Sequence, residues 1–366
     1  MIGVLHVMSN LSLKSGIASV VVNYCKYIDR NKIKSAIIYF DEINTETYID
    51  ELKTLNVDVF KFHRKKFISE WNNFCKEHYG EYDILHNHHS FLGFLFIGAK
   101  KKLGIKVLLN HAHVTKYGES VFKGLRNAFL SVSCRFISDK FVACSKDAGF
   151  AMFGPRFRHL GFVMKNAIDL NKFKFDLKSR QNIRNKLGIG NEWVVGHIGN
   201  MTPQKNHFFI LKIFEYVHKV DNTAKLLLVG DGYLHDEIRK EIKEKKLENN
   251  VIDLGVRNDV NVILNAMDVF FLPSLFEGLG IVLVEAQANG LRCVYSDQVP
   301  MEADVNNKMN SRLSLNAPIQ EWVDSLMFKT ERIDNSILLK KNHYEIETAA
   351  KDLEMFYTEL IRDKKI

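Results

Sequence analysis

Two glutamates, Glu277 and Glu285, lie eight positions apart across a predicted strand-to-helix junction. The apolar run at 268–272 predicts a buried strand, and residues 281–289 predict a helix. Gly278 and Gly280 between them permit a tight turn. Free amides at a helix start favour a phosphate, and carboxylates bind sugar or ribose hydroxyls through charge-assisted hydrogen bonds. The pattern therefore predicts a site for a nucleotide sugar.

An alternative interpretation assigns no ligand to either carboxylate. Glu277 would then cap the helix, and Glu285 would extend from a helix face into solvent. The apolar residues 281–284 make Glu285 difficult to solvate, so the sequence favours the site while the alternative stays open.

Two further glycine turns follow predicted strands and precede predicted helices. The turn at 196–206 contains Lys205; a lone lysine is usually a solvated surface group, but a strand, a glycine turn and a proline precede this one. The turn at 9–16 ends in Gly16, which would let backbone amides approach a phosphate or would simply start a helix.

The residues around the two glutamates resemble the Glu-x7-Glu signature of retaining GT-B glycosyltransferases, and among them glycosyltransferase family 4. The flanking Pro273-Ser274 and Ala286-Gln287 also look like the family's pattern. The resemblance covers nearly the whole chain. It implies an α/β fold in which two Rossmann-like parallel-sheet domains face a central cleft.

The same resemblance implies roles at the donor site. Glu277 would bind sugar hydroxyls as a catalytic residue, Glu285 would bind the ribose, and Lys205 would hold the diphosphate. Two glycine turns and a loop whose main chain pairs with the nucleobase would supply the other donor-binding residues: Gly16, Asn200, Val256, Arg257, Gly278, Leu279 and Gly280.

Two positions depart from the family's pattern. Ser15 stands where the family usually has the first glycine of a pair, and Asn200 stands where it often has an arginine. Neutralisation of the diphosphate would then rest on Lys205, on helix amides, and on a second base such as Arg257 or His197.

Five histidines lie near two strand ends in the first half of the chain: His86, His88, His89, His111 and His113. Their spacing fits no zinc helix motif and the chain has no Asp-x-Asp, so we predict hydrogen-bonding roles, no metal and no cofactor. The resemblance implies one catalytic histidine near the transferring sugar. Either His111 or His113 matches it, and we favour His111. His86 and its neighbours would contact the acceptor or cap a strand.

Length and pattern predict two domains. The 366 residues, 46% of them apolar, show seven predicted strands and then five, alternating with helices. The first domain is predicted at 1–168 and the second at 176–341, with a polar linker near 166–178 and a closing helix at about 342–366. The resemblance implies that this helix packs back on the first domain. Five cysteines without Cys-x-x-Cys spacing favour a reduced cytosol, and no signal peptide or membrane span is predicted.

Positive charge is concentrated in the first half, where residues 1–170 hold 24 Lys and Arg against 15 Asp and Glu. Such a face attracts anionic lipid or nucleic acid, or only solubilises the protein. Within it, residues 116–137 carry Lys123, Arg126 and Arg135 beside an apolar stripe. That composition suits a membrane- and acceptor-facing helix, or core packing with a solvated edge. The stripe consists of Val121, Leu125, Ala128, Val132 and Phe136. The basic and aromatic run at 61–67 is a second candidate for the membrane face.

The resemblance, together with the positive charge of the first half, implies a retaining glycosyltransferase, and the lack of an Asp-x-Asp predicts that it is metal-independent. It would move a hexose or N-acetylhexosamine from a nucleotide sugar, a UDP-sugar, to a lipid-linked saccharide of a bacterial surface polysaccharide such as a capsule. It would be cytoplasmic, bound peripherally to the anionic inner face of the plasma membrane. The alternatives are a GT-B nucleotide-sugar epimerase or phosphorylase and, more remotely, a basic nucleic-acid-binding protein. Because the chain has no recognisable module for nucleic acid, we predict no such partner.

Overall fold

The computed structural model describes residues 1–13, 15–40, 46–115 and 121–364, and it divides the chain into two compact units. Unit 1 consists of Met1–Ile168 and His343–Ile366, and unit 2 is the continuous segment Asp169–Asn342. Residues 169–178, which the sequence analysis assigned to the linker, therefore belong to unit 2. They form a short helix and the start of the next one.

The sheet of unit 1 is parallel throughout, with the strand order β3-β2-β1-β4-β5-β6-β7. Its central strands are almost completely buried, as expected for a parallel sheet covered on both faces. The strands are β1 (Ile2–Met8), β2 (Ile33–Tyr39), β3 (Asp58–Lys61), β4 (Ile84–Asn87), β5 (Val107–Ala112), β6 (Lys140–Ala143) and β7 (Gly161–Val163).

Helices cover both faces of this sheet. They are α1 (Gly16–Tyr27), α2 (Ile49–Thr54), α3 (Phe67–Glu77), α4 (Ala99–Leu103), α5 (Val121–Ile137), α6 (Lys146–Phe153) and α7 (Phe157–Leu160), with 3-10 turns at Arg64–Lys66, Ser90–Phe96 and Gly154–Arg156. An aromatic cluster that includes Phe67, Trp71 and Phe96 packs on one face, and α1 and α2 pack on the other. The hydroxyl of Ser15 caps α1 by accepting from the amide of Ala18 at 3.2 Å, so this departure from the family's glycine pair has a structural use.

Unit 2 repeats the plan with a six-stranded parallel sheet in the order β10-β9-β8-β11-β12-β13, the doubly wound Rossmann order. Its strands are β8 (Val194–Ile198), β9 (Lys225–Val229), β10 (Val251–Asp253), β11 (Val269–Leu272), β12 (Arg292–Ser296) and β13 (Ser311–Leu313). The sequence pattern missed β13, which has three residues, none of them buried, at the edge of the sheet.

The helices of unit 2 are α8 (Leu170–Phe173), α9 (Leu177–Lys186), α10 (His207–Val220), α11 (His235–Glu244), α12 (Val260–Ile263), α13 (Ile281–Ala288), α14 (Ile319–Met327) and α15 (Ser336–Lys341). Short 3-10 turns lie at Pro203–Lys205, Leu264–Ala266 and Met301–Ala303. The main core of the unit lies around Trp322, Phe214 and Phe271, between the sheet and α10, α11 and α14.

The closing helix α16 (Ile346–Arg362) returns to unit 1. A bridge joins Ile168 to Glu345, and the carboxylate of Glu354 accepts a hydrogen bond from the amide of Asp29 at 2.6 Å. Tyr357 is completely buried against the sheet's histidines. The predicted fold class, two Rossmann-like parallel-sheet domains, is confirmed.

Candidate active site

The loops that follow β8 and β11 meet at the carboxyl edge of the unit 2 sheet. The two strands are neighbours, with Gly196 opposite Phe270. The amide of Leu275 donates to the carbonyl of Gln204 at 2.8 Å, and the side-chain amide of Asn206 donates to the carbonyl of Pro273 at 3.1 Å. This edge is where doubly wound sheets bind ligands, because helix N-termini and loop amides converge there.

Lys205 and Glu277 form an ion pair at this edge. Lys205 Nζ lies 2.6 Å from Glu277 Oε1, and the two side chains are only 15% and 7% exposed. The Ser274 hydroxyl also donates to Oε1, at 2.7 Å, and the Gln204 side-chain amide donates to Oε2 at 3.2 Å. A buried carboxylate requires such partners. The sequence analysis gave the two residues separate tasks and did not predict that they pair.

Glu285 presents its carboxylate from the second turn of α13. Gly280 is the N-cap residue of this helix and adopts the left-handed φ of 83° that favours glycine. Glu277 therefore does not cap the helix, and that part of the alternative is wrong. Within the described residues, no side chain or amide donates to the Glu285 carboxylate. Burial raises its pKa from 4.5 to about 7, while the positive charges of Lys172 and Lys205 oppose the rise.

The predicted second base is not supplied by His197. Its Nδ1 donates to the carbonyl of Phe271 at 2.9 Å, and burial, with Lys205 and His207 near it, lowers its pKa well below the ordinary value. The ring is therefore neutral at pH 7. Arg257 is charged, but its guanidinium forms a two-bond fork on the carboxylate of Asp259, at 2.7 and 2.8 Å.

The remaining predicted donor residues take different positions. Asn200 is exposed, Val256 is 43% exposed, and Leu279 is buried. In unit 1, Gly16 is the first residue of α1, and a β-carbon added there would meet no atom of the described residues within 4 Å. Gly278 belongs to the loop that carries Glu277.

Five histidines of unit 1 form an array of two hydrogen-bonded chains whose rings stack on one another, and the array includes His6 from β1. His6 pairs in register with His86 on β4, and its Nδ1 lies 3.0 Å from His88 Nε2. His88 Nδ1 lies 3.1 Å from His113 Nε2, and His86 Nε2 lies 3.2 Å from His111 Nδ1. The sequence analysis missed His6, because only the strand order brings β1 beside β4.

Burial keeps the imidazoles of this array neutral. It lowers the pKa of His6 to about 4 and that of His113 to about 3. The pKa values of His86, His88 and His111 lie well below 6.5, first through burial and then through the other histidines. Neutral rings can each donate and accept one hydrogen bond.

Helix α5 turns several of its large apolar side chains away from the protein. Leu125, Phe129 and Phe136 are 69%, 80% and 76% exposed. The buried face consists instead of small residues such as Ser131 and Cys134, so core packing of the predicted stripe is wrong.

Two of the three predicted bases of this helix are described in detail. Arg126 is exposed, whereas the guanidinium of Arg135 donates to the carbonyl of Met152 at 3.1 Å and is partly held against the protein. The side chain of Lys123 and residues 116–120 lie outside the described part of the chain. Among the described residues, no helix is long and apolar enough to span a bilayer.

The two sheets of Rossmann type, each followed at its carboxyl edge by polar loops, match known structures of GT-B architecture. The Anabaena protein Alr3699/HepE, solved with UDP and glucose, superposes with a TM-score of 0.75 over 100% of this chain and 98% of its own, at 19% identity.

Sequence comparison gives the family. The family model "Glycosyl transferases group 1" matches residues 179–328. A putative glycosyltransferase, EpsF of Bacillus subtilis (strain 168), is 30% identical over 336 residues, which are 88% of this chain and 86% of EpsF. The chain therefore belongs to the group 1 glycosyltransferases; its narrower assignment to family 4 stays a prediction.

A second relative carries substrate names. The Escherichia coli UDP-Gal:alpha-D-GlcNAc-diphosphoundecaprenol alpha-1,3-galactosyltransferase is 28% identical over 289 residues, which are 73% of this chain and 70% of that protein.

Proposed function

We propose that this glycosyltransferase moves a hexose or N-acetylhexosamine, with retention, from a UDP-sugar to a lipid-linked saccharide in bacterial surface polysaccharide synthesis. The observation that carries the proposal is the buried Lys205–Glu277 pair at the carboxyl edge of the unit 2 sheet, where α13 begins and carries Glu285. It combines a cation for a diphosphate with carboxylates for hydroxyls.

The relatives support the substrate classes. The E. coli relative is named for a UDP-sugar donor and a diphosphoundecaprenol-linked acceptor. The Anabaena structure holds UDP in a protein of the same fold. The name of EpsF adds no substrate.

In the proposed reaction, the bond from the anomeric carbon to the diphosphate oxygen breaks, and a bond to the acceptor oxygen forms on the same face. The acceptor's proton passes to the departing diphosphate, so no strong protein base is required. Negative charge develops on the diphosphate, where Lys205 and the amides at the start of α13 stabilise it.

Donor binding would redistribute the hydrogen bonds of Glu277. Lys205 would shift from the carboxylate towards the diphosphate, while Ser274 and Gln204 keep Glu277 oriented for the sugar hydroxyls. Glu285, in its ionised form, would accept from the ribose hydroxyls. A neutral His111, or His113, would hydrogen-bond the sugar.

We further propose that this chemistry needs no divalent ion and no cofactor, because a lysine and oriented amides meet the diphosphate charge. Incubation with a panel of nucleotide sugars in EDTA, followed by mass spectrometry, tests both points. Transfer, or slow hydrolysis of one UDP-sugar, is expected. Complete loss that added metal restores would overturn metal independence, and an epimer or sugar phosphate would favour the epimerase or phosphorylase.

The apolar face of α5 supports a peripheral site on an anionic bilayer, at the cytoplasmic face of the membrane. Exposed Leu125, Phe129 and Phe136 are large enough to enter the interface between headgroups and acyl chains. Exposed Arg126 supplies charge that complements anionic lipid. A lipid-linked acceptor requires the protein to come to this surface.

A further inference from the structure

The histidine array of unit 1 contains more imidazoles than one sugar contact requires. Among the described residues, two triplets bring one ligand nitrogen from each member within 4.8 Å of the others. One is His6, His86 and His88, and the other is His88, His111 and His113. Three imidazoles are a common ligand set for zinc.

One nitrogen pair of the second triplet has a spacing that suits an ion. His88 Nδ1 and His113 Nε2 lie 3.1 Å apart, close to the roughly 3.3 Å between two nitrogens on one tetrahedral zinc with bonds of about 2.0–2.1 Å. The His88 ring centroid lies 5.0 Å from that of His111 and 5.3 Å from that of His113. One ion can therefore lie between His88 and its two neighbours.

The opposite nitrogens of two of these rings already have partners. His88 Nε2 lies 3.0 Å from His6 Nδ1, and His111 Nδ1 lies 3.2 Å from His86 Nε2. His86 Nδ1 in turn lies 2.7 Å from the hydroxyl of Tyr357. Metal-binding histidines nearly always donate their second N–H to such a partner, which fixes the ring and its tautomer.

His111 provides an independent observation. Its Nε2 is buried and has no hydrogen-bond partner among the described residues. A buried nitrogen without a partner is costly unless a ligand satisfies it. In the tautomer where Nδ1 carries the proton, Nε2 has a free lone pair for an ion.

The first triplet is a weaker candidate. Both nitrogens of His86 are engaged, with Tyr357 and with His111. In contrast, His113 of the second triplet is only partly buried, so solvent reaches one of the three residues.

We propose that His88, His111 and His113 form a binding site for a divalent transition metal of the Zn²⁺ class, with a fourth position open to water or ligand. The His111 and His113 rings stack at 3.8 Å and must separate when both bind the ion. His111 Nε2, once bound to the ion, can no longer hydrogen-bond a sugar. If the proposed role of His111 holds, Zn²⁺ inhibits transfer, and EDTA restores it.

Calorimetry and Co²⁺ absorption on the EDTA-treated full chain test the site directly. One Zn²⁺ per chain is expected, with a tetrahedral Co²⁺ spectrum and a rise in the melting temperature on adding Zn²⁺. His113→Asn should weaken binding by at least about tenfold, and Tyr357→Phe by a smaller factor through His86.

The matched control is His343→Asn, an exposed histidine that pairs with Asp352. It should bind Zn²⁺ as the parent does. Equal affinity in His113→Asn, an octahedral Co²⁺ spectrum, or no binding by the parent overturns the site. If a histidine variant unfolds, the Zn²⁺ stoichiometry, the Co²⁺ spectrum and the melting shift of the parent still test whether the site exists. These measurements need no substrate. If the parent binds no Zn²⁺ but still transfers sugar, only this inference is overturned and the proposed function stands.

Discussion

The two units place their polar residues at equivalent edges of similar sheets, but one edge carries charged side chains and the other carries neutral ones. In unit 2 the edge carries charged groups, Lys205 and Glu277, which are ion-paired and nearly buried. In unit 1 it carries imidazoles that burial keeps neutral, such as His88 and His111. The positive charge of the first half lies elsewhere, on exposed residues such as Arg126.

This difference indicates how one parallel-sheet plan can serve two kinds of ligand. Paired charges at the unit 2 edge can be exchanged for those of an anionic ligand, because Lys205 loses little when a diphosphate replaces a carboxylate. Neutral imidazoles at the unit 1 edge can donate and accept without adding charge, which suits hydroxyl groups or a metal ion.

The largest effect is expected from Glu277→Gln, which keeps the shape of the side chain and removes its charge. Transfer should fall by at least about a hundredfold, as for loss of a preorganised polar group. Circular dichroism should show an unchanged fold. The exposed Glu248→Gln in the same unit is the control and should keep full activity. Normal turnover by a folded Glu277→Gln would contradict the assignment of Glu277 to the site.

Lys205→Ala tests the other member of the pair. Affinity for UDP should fall by about 1.5–3 kcal/mol, the range for hydrogen bonds to charged groups, which is about 10- to 150-fold. Titration calorimetry measures it, with the exposed Lys212→Ala on α10 as the control. Because the variant also leaves Glu277 without its cation, Lys205→Ala/Glu277→Gln should be more stable than Lys205→Ala alone. Equal UDP affinity would remove Lys205 from the donor site.

The raised pKa of Glu285, about 7, predicts a pH dependence of donor binding. If the ionised carboxylate binds ribose, affinity for UDP should rise by about tenfold between pH 6 and pH 8 through this group. Glu285→Gln, or a nucleotide without ribose hydroxyls, should lack this component. If UDP affinity of Glu285→Gln, and affinity of the parent for that nucleotide, rise with pH as steeply as before, the titrating group is the diphosphate instead.

Glu285 should affect stability in the opposite direction: the free energy of unfolding should fall with pH where UDP affinity rises. Between pH 4.5 and about 7 the folded chain keeps a proton at Glu285 that the unfolded chain has lost. Its contribution to the free energy of unfolding therefore decreases as pH rises through this window. Denaturant titrations of the parent and of Glu285→Gln should converge at low pH and diverge above about pH 7, with the parent less stable; parallel curves would contradict the shift.

The smallest effects concern the surface of unit 1. Phe129→Ser and Arg126→Ser should each lower affinity for anionic vesicles by about fivefold, since one interfacial contact is worth about 1 kcal/mol. Donor hydrolysis should be unchanged. Phe208→Ser replaces an exposed phenylalanine of unit 2 and is the matched control. If both α5 variants co-sediment like the parent, α5 is not the membrane face, and the patch at 61–67 becomes the next candidate.

The parts of this molecule that local patterns specify could be predicted from the sequence. Buried apolar runs gave the strands of both sheets, and the strand before Glu277 and the helix after Gly280 were placed to within about a residue. The three-residue strand β13 was missed because an exposed edge strand has no apolar pattern.

Contacts between distant residues could not be predicted in the same way. The ion pair of Lys205 with Glu277 depends on β8 and β11 being neighbours. His6 and Tyr357 join the histidines only through strand order and the return of α16. For α5, hydrophobic periodicity identified an apolar stripe but could not tell whether it faces the protein or solvent, since both give the same pattern.

The return of α16 also constrains how the protein is made. Unit 2 is one continuous segment, so it can fold as soon as it leaves the ribosome. Unit 1 comes first in the chain, yet it lacks Tyr357 and the cover of α16 until the residues after unit 2 have been synthesised. The first half must therefore wait, with part of its sheet uncovered, while the second half folds. We expect the order of domain folding in this enzyme to be the reverse of their order in the sequence.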